Sequence, residues 1–141
     1  MNPLSDAMRT MKLEAAHLDM LEAGDDTIVG TALAKLHERP AHAWTLAELA
    51  REATTSRSVL VQRFSRLVGQ SPMLYLKRWR LHLAAEQLTS CSAKVSAIGT
   101  RVGYDSDSAF SRAFKRETGM SPAAWRRARA AKVILSAAAM E

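Results

Sequence analysis

The side chains of this 141-residue chain that could do chemistry are hydrogen-bonding and cationic ones, and they concentrate in two segments. In residues 57–68 and 107–118, apolar side chains recur at helical spacing, and Ser, Gln, Asp, Arg and Lys fill the opposite face. Such groups donate or accept hydrogen bonds, and the arginine fork can bind two acceptors at once. The chemistry that these segments offer is recognition of a polar surface.

No arrangement of residues indicates catalysis or a bound metal. The histidines, His17, His37, His42 and His82, have no metal-ligand spacing. Cys91 has no CxxC partner and no second cysteine for an intrachain disulfide. The sequence also lacks a Ser/His/Asp set, a phosphate-cradling glycine loop and a paired-carboxylate motif. We therefore predict a protein that is not an enzyme and that uses no cofactor and no metal.

The charges are segregated along the chain. Residues 1–50 hold four Lys or Arg against eight Asp or Glu, whereas residues 51–141 hold sixteen against six. A strongly basic half indicates a polyanionic partner. Because there is no run of 18 apolar residues and no signal-peptide pattern, we expect a cytoplasmic protein with no membrane partner.

The helix start and stop signals predict an all-α fold. Gly69-Gln70-Ser71-Pro72 and Gly119-Met120-Ser121-Pro122 each place a glycine just past one helix and a Ser-Pro start before the next. Thr45-Leu46-Ala47-Glu48 is typical of a capping box. Seven helices are expected, near residues 27–38, 46–53, 57–68, 72–89, 95–102, 107–118 and 122–132. Residues 1–25 form either an extra N-terminal helix or a tail.

The two stop signals lie 50 residues apart and reveal an internal repeat. In the later part of each copy, the matching pairs are Ser56 and Ser106, Leu60 and Phe110, Phe64 and Phe114, Gly69 and Gly119, Ser71 and Ser121, and Pro72 and Pro122. Further upstream the offset is 49, and it pairs Leu46, Leu49 and Ala53 with Val95, Ile98 and Val102. Each copy is a short helix, a turn and a longer helix, which is the layout of a helix-turn-helix unit.

A helix-turn-helix unit needs a second helix that is anchored on one face and free on the other. We expect Leu60, Phe64 and Leu67 to anchor the helix of the first copy, and Phe110 and Phe114 to anchor that of the second. Residues near the start of such a helix reach deepest into the major groove of DNA. The predicted base-reading residues are Ser58, Val61 and Gln62 in the first helix, and Asp107, Ser108, Ser111 and Arg112 in the second.

The chemistry of these side chains suggests specific partners. Arg112 can pair with guanine and Gln62 with adenine, at about 1–3 kcal/mol of discrimination each. Asp107 has an alternative role, in which it caps its helix and neutralises the helix dipole. The predicted phosphate ligands, which position the protein without reading sequence, are Arg57, Arg63, Arg66, Lys115 and Arg116.

For several other large or basic residues, a structural role is the simpler interpretation. The tryptophans Trp44, Trp79 and Trp125 are expected to pack rather than to stack on bases. For Arg78 and Arg80, phosphate contact, a solvated helix face and an ion pair between subdomains remain open. The basic run Arg126-Arg127-Ala128-Arg129 is expected to be the charged C-terminus of a helix.

The run from Gly103 to Arg116, followed by Gly119-Met120-Ser121-Pro122 and Trp125-Arg126, resembles the signature of the AraC/XylS family. The segment from Leu46 to Tyr75, with Arg78, resembles the first unit of that family, and the resemblance covers roughly residues 26–130.

The resemblance implies a seven-helix tandem helix-turn-helix fold in which a long central helix, from Pro72 to about Leu88, joins two subdomains. It also implies a sequence-specific transcription regulator, an activator, that binds double-stranded promoter DNA along one face and meets RNA polymerase. A central helix of about 17 residues spans roughly 25 Å, and with the flanking subdomains it can place two recognition helices about one DNA turn, near 34 Å, apart.

The expected organisation begins with residues 1–25, which are either a tail or a helix that is a remnant of an upstream domain or a dimerising element. Subdomains follow at 26–90 and 91–132, and then a tail at 133–141. Gly99 departs from the family pattern, where alanine is usual, and is expected to loosen its helix by up to about 1 kcal/mol. Most family members also carry a larger effector-sensing or dimerisation domain.

Several functional forms remain open. The chain is either a small regulator or the DNA-binding module of a larger effector-controlled protein. As a small regulator it acts as a monomer or as a weak dimer through its N-terminal helix. A nonspecific nucleoid-type DNA-binding protein is the alternative that uses only the basic half. An enzyme-linked DNA-repair module would need a cluster of metal-binding cysteines, and the single Cys91 argues against it.

Overall fold

The computed structural model describes the backbone of residues 26–139 and the side chains of residues 26–131. Over residues 26–139 the chain forms seven helices and no strand. The helices are α1 (Thr27–Glu38), α2 (Leu46–Glu52), α3 (Arg57–Val68), α4 (Pro72–Ser90), α5 (Val95–Arg101), α6 (Asp107–Thr118) and α7 (Pro122–Ala139). The expectation of an all-α fold with seven helices is confirmed. The extra helix considered for residues 1–25 lies outside the described residues.

The helix ends follow the residues that signalled them. Gly69 and Gly119 adopt φ of +87° and +82°, in the left-handed region that glycine enters without strain. The hydroxyls of Ser71 and Ser121 then accept the amides of Leu74 and Ala124, at 3.4 and 3.1 Å. The repeated Gly-x-Ser-Pro signal therefore ends one helix and starts the next in both copies.

The remaining ends differ in part from expectation. Thr45 Oγ1 accepts the Glu48 amide at 3.1 Å, as in a capping box, but the Glu48 carboxylate contacts the His42 ring instead of returning to the cap. Helix α7 runs to Ala139, well past the expected end at residue 132, because no glycine or proline interrupts its alanine-rich sequence. The basic run Arg126–Arg129 therefore lies in the first half of α7, and the expectation of a charged helix C-terminus was wrong.

The chain divides into two compact units, one ending at Arg80 and the other beginning at Leu81, so the division falls inside α4. The expected boundary between the subdomains lay after residue 90. Each unit contains one complete helix-turn-helix, formed by α2 and α3 in the first and by α5 and α6 in the second.

The first unit is built around one apolar core. Its large, fully buried side chains are Leu33 and Leu36 of α1, Leu49 of α2, Leu60 and Phe64 of α3, and Tyr75 and Leu76 of α4. Full burial of such a side chain contributes roughly 1.5–3 kcal/mol. Because α3 supplies two of these residues, its orientation is fixed by the core.

Arg80 fixes the loop between α1 and α2 in this unit. Its Nε donates to the Pro40 carbonyl and its Nη2 to the His42 carbonyl, both at 2.7 Å. Trp44, which is buried, donates Nε1 to the Arg39 carbonyl at 2.9 Å in the same loop. These bonds hold the chain that leads into α2.

The second unit has a core of aromatic rings. Phe110 and Phe114 of α6 are fully buried and meet at 5.8 Å between ring centroids, and the Trp125 ring lies 5.9 Å from that of Phe114. Buried Ile98 of α5 and Leu88 of α4 complete the apolar interior. Arg126 donates Nε to the Leu88 carbonyl at 3.0 Å and Nη2 to the Cys91 carbonyl at 3.1 Å, which satisfies acceptors around the end of α4.

Candidate nucleic-acid interface

Helix α3 is capped at both ends, and one buried side chain on each successive turn anchors it to the core. The Ser56 hydroxyl accepts the Val59 amide at 3.2 Å at its start, and Gly69 closes its end. Leu60 and Phe64 are fully buried, as predicted. Leu67, expected as a third anchor, is 42% exposed, so that prediction was wrong, and Val68 packs against the core in its place. The buried stripe thus advances by four residues at each step.

Helix α6 repeats this arrangement with larger side chains. The Ser106 hydroxyl accepts the Ala109 amide at 3.1 Å, and Phe110 and Phe114 are fully buried as predicted. Because Ser106 makes the cap, Asp107 is the first residue of the helix and not its capping residue. Its exposed carboxylate still lies in the first turn, where a negative charge interacts favourably with the positive end of the helix dipole.

Gly99 lets α5 and α6 approach closely. A Cβ added at Gly99 would lie 2.8 Å from Cδ2, 2.9 Å from Cγ and 3.1 Å from Cβ of Phe110. The repeat pairs Gly99 with Ala50 and Phe110 with the smaller Leu60. The glycine therefore makes room for a phenylalanine, a tertiary role that adds to the lower helix propensity expected at this position.

The turns between the paired helices differ in strain. Thr54, after α2, adopts φ of +55° and is the one residue other than glycine with positive φ within residues 26–139. Gly103, its counterpart after α5, adopts φ of +107°. A β-branched residue is strained in this region and glycine is not. A positive φ in the turn is thus met with strain in the first unit and without it in the second.

The predicted base-reading residues of α3 lie at its solvent-facing start. Ser58 and Gln62 are exposed and make no hydrogen bond within the described side chains, so their polar groups can bind an external partner. Val61 is half-buried and offers an apolar surface beside them. In DNA the C5-methyl group of thymine is the apolar feature of the major groove.

The predicted base-reading residues of α6 occupy the matching turns. Asp107 and Ser108 are exposed and Ser111 is half-buried. Arg112 is exposed, and its Nε donates to the Ser108 carbonyl at 3.3 Å. This bond restrains the guanidinium, while both terminal NH2 groups remain available as donors.

The five predicted phosphate ligands are all exposed. Arg57, Arg66, Lys115 and Arg116 make no ion pair within the described residues, whereas Arg63 Nη1 lies 3.8 Å from Asp26 Oδ1. A pair this long and exposed contributes little, so Arg63 also keeps a positive charge at the surface.

Several other arginines, for which the expected role was open or different, have partners within the protein. Arg80 and Arg126 bind backbone carbonyls, Arg78 donates to Gln70 Oε1 at 3.1 Å, and the Arg129 guanidinium lies 4.5 Å from the centre of the Trp125 ring. Contacts of Arg80 and Arg126 join positions 35 to 40 residues apart, for which the sequence gives no local signal.

The tryptophans pack inside their units, as predicted. Trp44 and Trp125 are buried, and Trp79 is half-buried against the core of the first unit. No group of three or more His, Cys, Asp or Glu among the described residues is placed to hold a metal ion. None of the described helices has the length and apolar character needed to cross a membrane.

Sequence comparison matches residues 49–128 to a family described as a helix-turn-helix domain. A putative AraC-like transcription regulator of Streptomyces antibioticus is 53% identical over 102 residues, which cover 72% of this chain and 34% of the relative. The HTH-type transcriptional regulator AlkR of Acinetobacter baylyi is 38% identical over 98 residues, covering 70% and 32%. The chain thus spans about a third of the length of these relatives.

Two solved structures resemble the fold. The C-terminal domain of AraT, a response regulator from Geobacillus stearothermophilus, has a TM-score of 0.71 and 32% identity, covering 74% of this chain and 87% of that one. The DNA-binding domain of AdpA, a global transcriptional factor solved in complex with a target DNA, has a TM-score of 0.72 and 30% identity, covering 77% and 96%.

Proposed function

Because the chain belongs to the AraC/XylS family of tandem helix-turn-helix DNA-binding domains, we propose that it binds promoter DNA with base-sequence specificity and regulates transcription there. The family is one of DNA-binding regulators and not of enzymes. The observation that carries the proposal is the duplicated recognition helix: α3 and α6 are each pinned by two buried side chains and each present unpaired polar groups at their first turns.

In this mechanism α3 and α6 enter successive segments of the major groove. The two terminal NH2 groups of Arg112 donate to O6 and N7 of one guanine, and the Gln62 amide pairs with N6 and N7 of one adenine. Ser58, Ser108 and Ser111 add single hydrogen bonds. Each bidentate pair contributes about 1–3 kcal/mol of discrimination against the wrong base.

Asp107 and Val61 contact features of the bases that the arginine and amide side chains do not. A carboxylate at the start of α6 accepts from the N4 amino group of cytosine and is repelled by phosphate. The Val61 side chain contacts a thymine methyl group. The phosphate ligands Arg57, Arg63, Arg66, Lys115 and Arg116 hold the register of both helices on the duplex without reading sequence.

The wider role is also a proposal. We infer that the chain works as the DNA-binding part of a regulator in the bacterial nucleoid, reads both half-sites with one polypeptide, and activates transcription through contact with RNA polymerase. The polymerase contact rests on the family resemblance alone. A weak dimer through residues 1–25 is the alternative assembly.

The proposal is tested by comparing two arginine variants on two duplexes, a preferred site found by in vitro selection and a random sequence. Arg112→Ala should weaken binding to the preferred site by about 1–3 kcal/mol and spare the random duplex. Arg66→Ala should weaken binding to both and reduce the salt dependence.

The contrast between the two variants is the control, since each removes one exposed positive charge. Equal losses on both duplexes for Arg112→Ala would contradict base reading by that residue. Equal affinity of the wild-type chain for every duplex would instead identify a nonspecific DNA-binding protein that uses only the basic half of the chain.

A further inference from the structure

A concavity of about 580 Å³ opens between the last turn of α2 and the first turn of α3. We call it the notch, and its lining residues are Ala47, Ala50, Arg51, Thr55, Ser56 and Arg57. We propose that the notch holds one DNA phosphate between the guanidinium groups of Arg51 and Arg57. This inference rests on the proposed DNA-binding function, and it adds Arg51, which lies outside both recognition helices.

The charges of the notch favour an anion. The residues Arg51 and Arg57 are exposed, and their guanidinium groups make no ion pair or hydrogen bond within the described residues. No carboxylate lines the notch, so nothing in it offsets the two positive charges. Two guanidiniums that line one concavity repel each other, and an anion between them turns that repulsion into two charge-assisted hydrogen bonds.

The other polar groups of the notch suit phosphate oxygens. The Ser56 hydroxyl oxygen accepts the Val59 amide, which leaves its hydrogen free to be donated, and the Thr55 hydroxyl is half-buried beside it. Phosphate oxygens only accept hydrogen bonds, and every polar side chain lining the notch can donate.

The position of the notch within the helix-turn-helix indicates that the phosphate belongs to the DNA backbone. In a DNA-bound helix-turn-helix, the first helix crosses the DNA backbone and the start of the second enters the major groove. The mouth of the turn between them therefore faces the sugar–phosphate strand at the groove edge. Arg51 is in the last turn of α2 and Arg57 opens α3, so both lie at that mouth.

The second unit lacks these charges at the corresponding place. The repeat pairs Arg51 with Thr100 and Arg57 with Asp107. The Thr100 hydroxyl donates to the Ser96 carbonyl at 3.1 Å, and Asp107 is an exposed carboxylate. The pair of arginines that lines the notch therefore has no equivalent at the matching positions of the second unit, whose predicted phosphate ligands, Lys115 and Arg116, lie toward the other end of its recognition helix.

The salt dependence of binding to the selected duplex tests the notch. Each neutralised phosphate contributes about 0.9 to the slope of log K against log salt concentration. If one phosphate is shared, the double variant Arg51→Ala/Arg57→Ala should lower the slope by about 0.9, with each single variant between it and wild type. A control variant, Lys77→Ala, removes one positive charge from a half-buried position of the same unit outside the notch and should leave the slope unchanged.

Three results of this titration would overturn the proposal. An unchanged slope in the double variant would mean that the notch holds no phosphate. A fall of about 1.8 would mean two separate phosphates. An equal fall for Lys77→Ala would mean that net charge and not the notch sets the slope. Thermal unfolding provides the folding control, because the exposed, unpartnered arginines should be replaceable without a change in Tm.

A second experiment locates the phosphate. Neutral methylphosphonates are placed one at a time along the selected duplex, and wild type should lose affinity at a position flanking the half-site of the first unit. That loss should disappear in both Arg51→Ala and Arg57→Ala, at the same position, and its persistence in either would refute a shared phosphate. A wild-type chain that binds no duplex would contradict the proposed function itself, whereas binding with no arginine-sensitive position would contradict only the notch.

Discussion

Replacing Gly99 by alanine should destabilise the second unit, although alanine is the better helix former. The added Cβ would lie 2.8 and 2.9 Å from Cδ2 and Cγ of Phe110. Carbon atoms pack at about 3.5–4.0 Å, so the ring must retreat by roughly 0.7 Å. Phe110 is fully buried, and the rings of Tyr104 and Phe114 lie within 6 Å of its own between centroids, so a shift of the ring disturbs these contacts.

The expected loss follows from two opposing effects. Overpacking a tight core costs about 1–3 kcal/mol, and here the upper end applies because the clash involves the root of the side chain. The higher helix propensity of alanine returns up to about 1 kcal/mol. Gly99→Ala should therefore lower the free energy of unfolding by about 1–2 kcal/mol.

The first unit supplies the compensating change, because the repeat pairs Gly99 and Phe110 with Ala50 and Leu60, which are both buried in the core of the first unit. Phe110→Leu alone should cost about 1–2 kcal/mol through lost ring contacts and a residual cavity. Combined with Gly99→Ala it recreates the pair of the first unit, so the double variant should be more stable than the sum of the single effects by at least 1 kcal/mol. Urea unfolding of the four chains measures this coupling. A coupling under about 0.5 kcal/mol, or a Gly99→Ala chain as stable as wild type, would refute the steric argument.

Three further outcomes are expected. Thr54→Asn should raise the free energy of unfolding by about 1 kcal/mol, because asparagine tolerates positive φ better than threonine; a lower urea midpoint would contradict this. Arg126→Lys should lower it by about 2 kcal/mol, since lysine cannot make both carbonyl bonds, while the salt dependence of DNA binding stays unchanged; a changed slope would make Arg126 a phosphate ligand. Removing residues 1–25 should leave DNA affinity intact in a gel-shift titration, and abolished binding would mean that this segment belongs to the fold or to a dimer.

The helix positions were predictable because strong local chemistry fixes them. The two Gly-x-Ser-Pro signals and the capping serines act over three or four residues, and the structure uses them as expected. The error at Leu67 came from extending a seven-residue step to the last turn of α3. The internal repeat argues against burial of Leu67, because it pairs this residue with Glu117. A glutamate is almost never fully buried unless it is paired.

Other features depend on tertiary contacts that a local pattern cannot contain. Gly99 looked like a weak helix position until the adjoining ring of Phe110 was placed against it. Several roles were open for Arg80, and Arg126 was expected at a charged helix end. The carbonyls that they bind lie 35 to 40 residues away along the chain. Arg51 was missed as a site residue because it lies on the supporting helix, and only the shared concavity joins it to Arg57.

In vitro selection from a random DNA pool, carried out in parallel with wild type, Gln62→Ala and Arg112→Ala, tests the central claim most directly. Wild type should enrich two blocks of preferred base pairs, one for each recognition helix, with centres about 10 base pairs apart. Gln62→Ala should erase a preference for adenine in one block, and Arg112→Ala a preference for guanine in the other. Enrichment of no motif, or loss of the same base preference in both variants, would contradict reading by two separate helices.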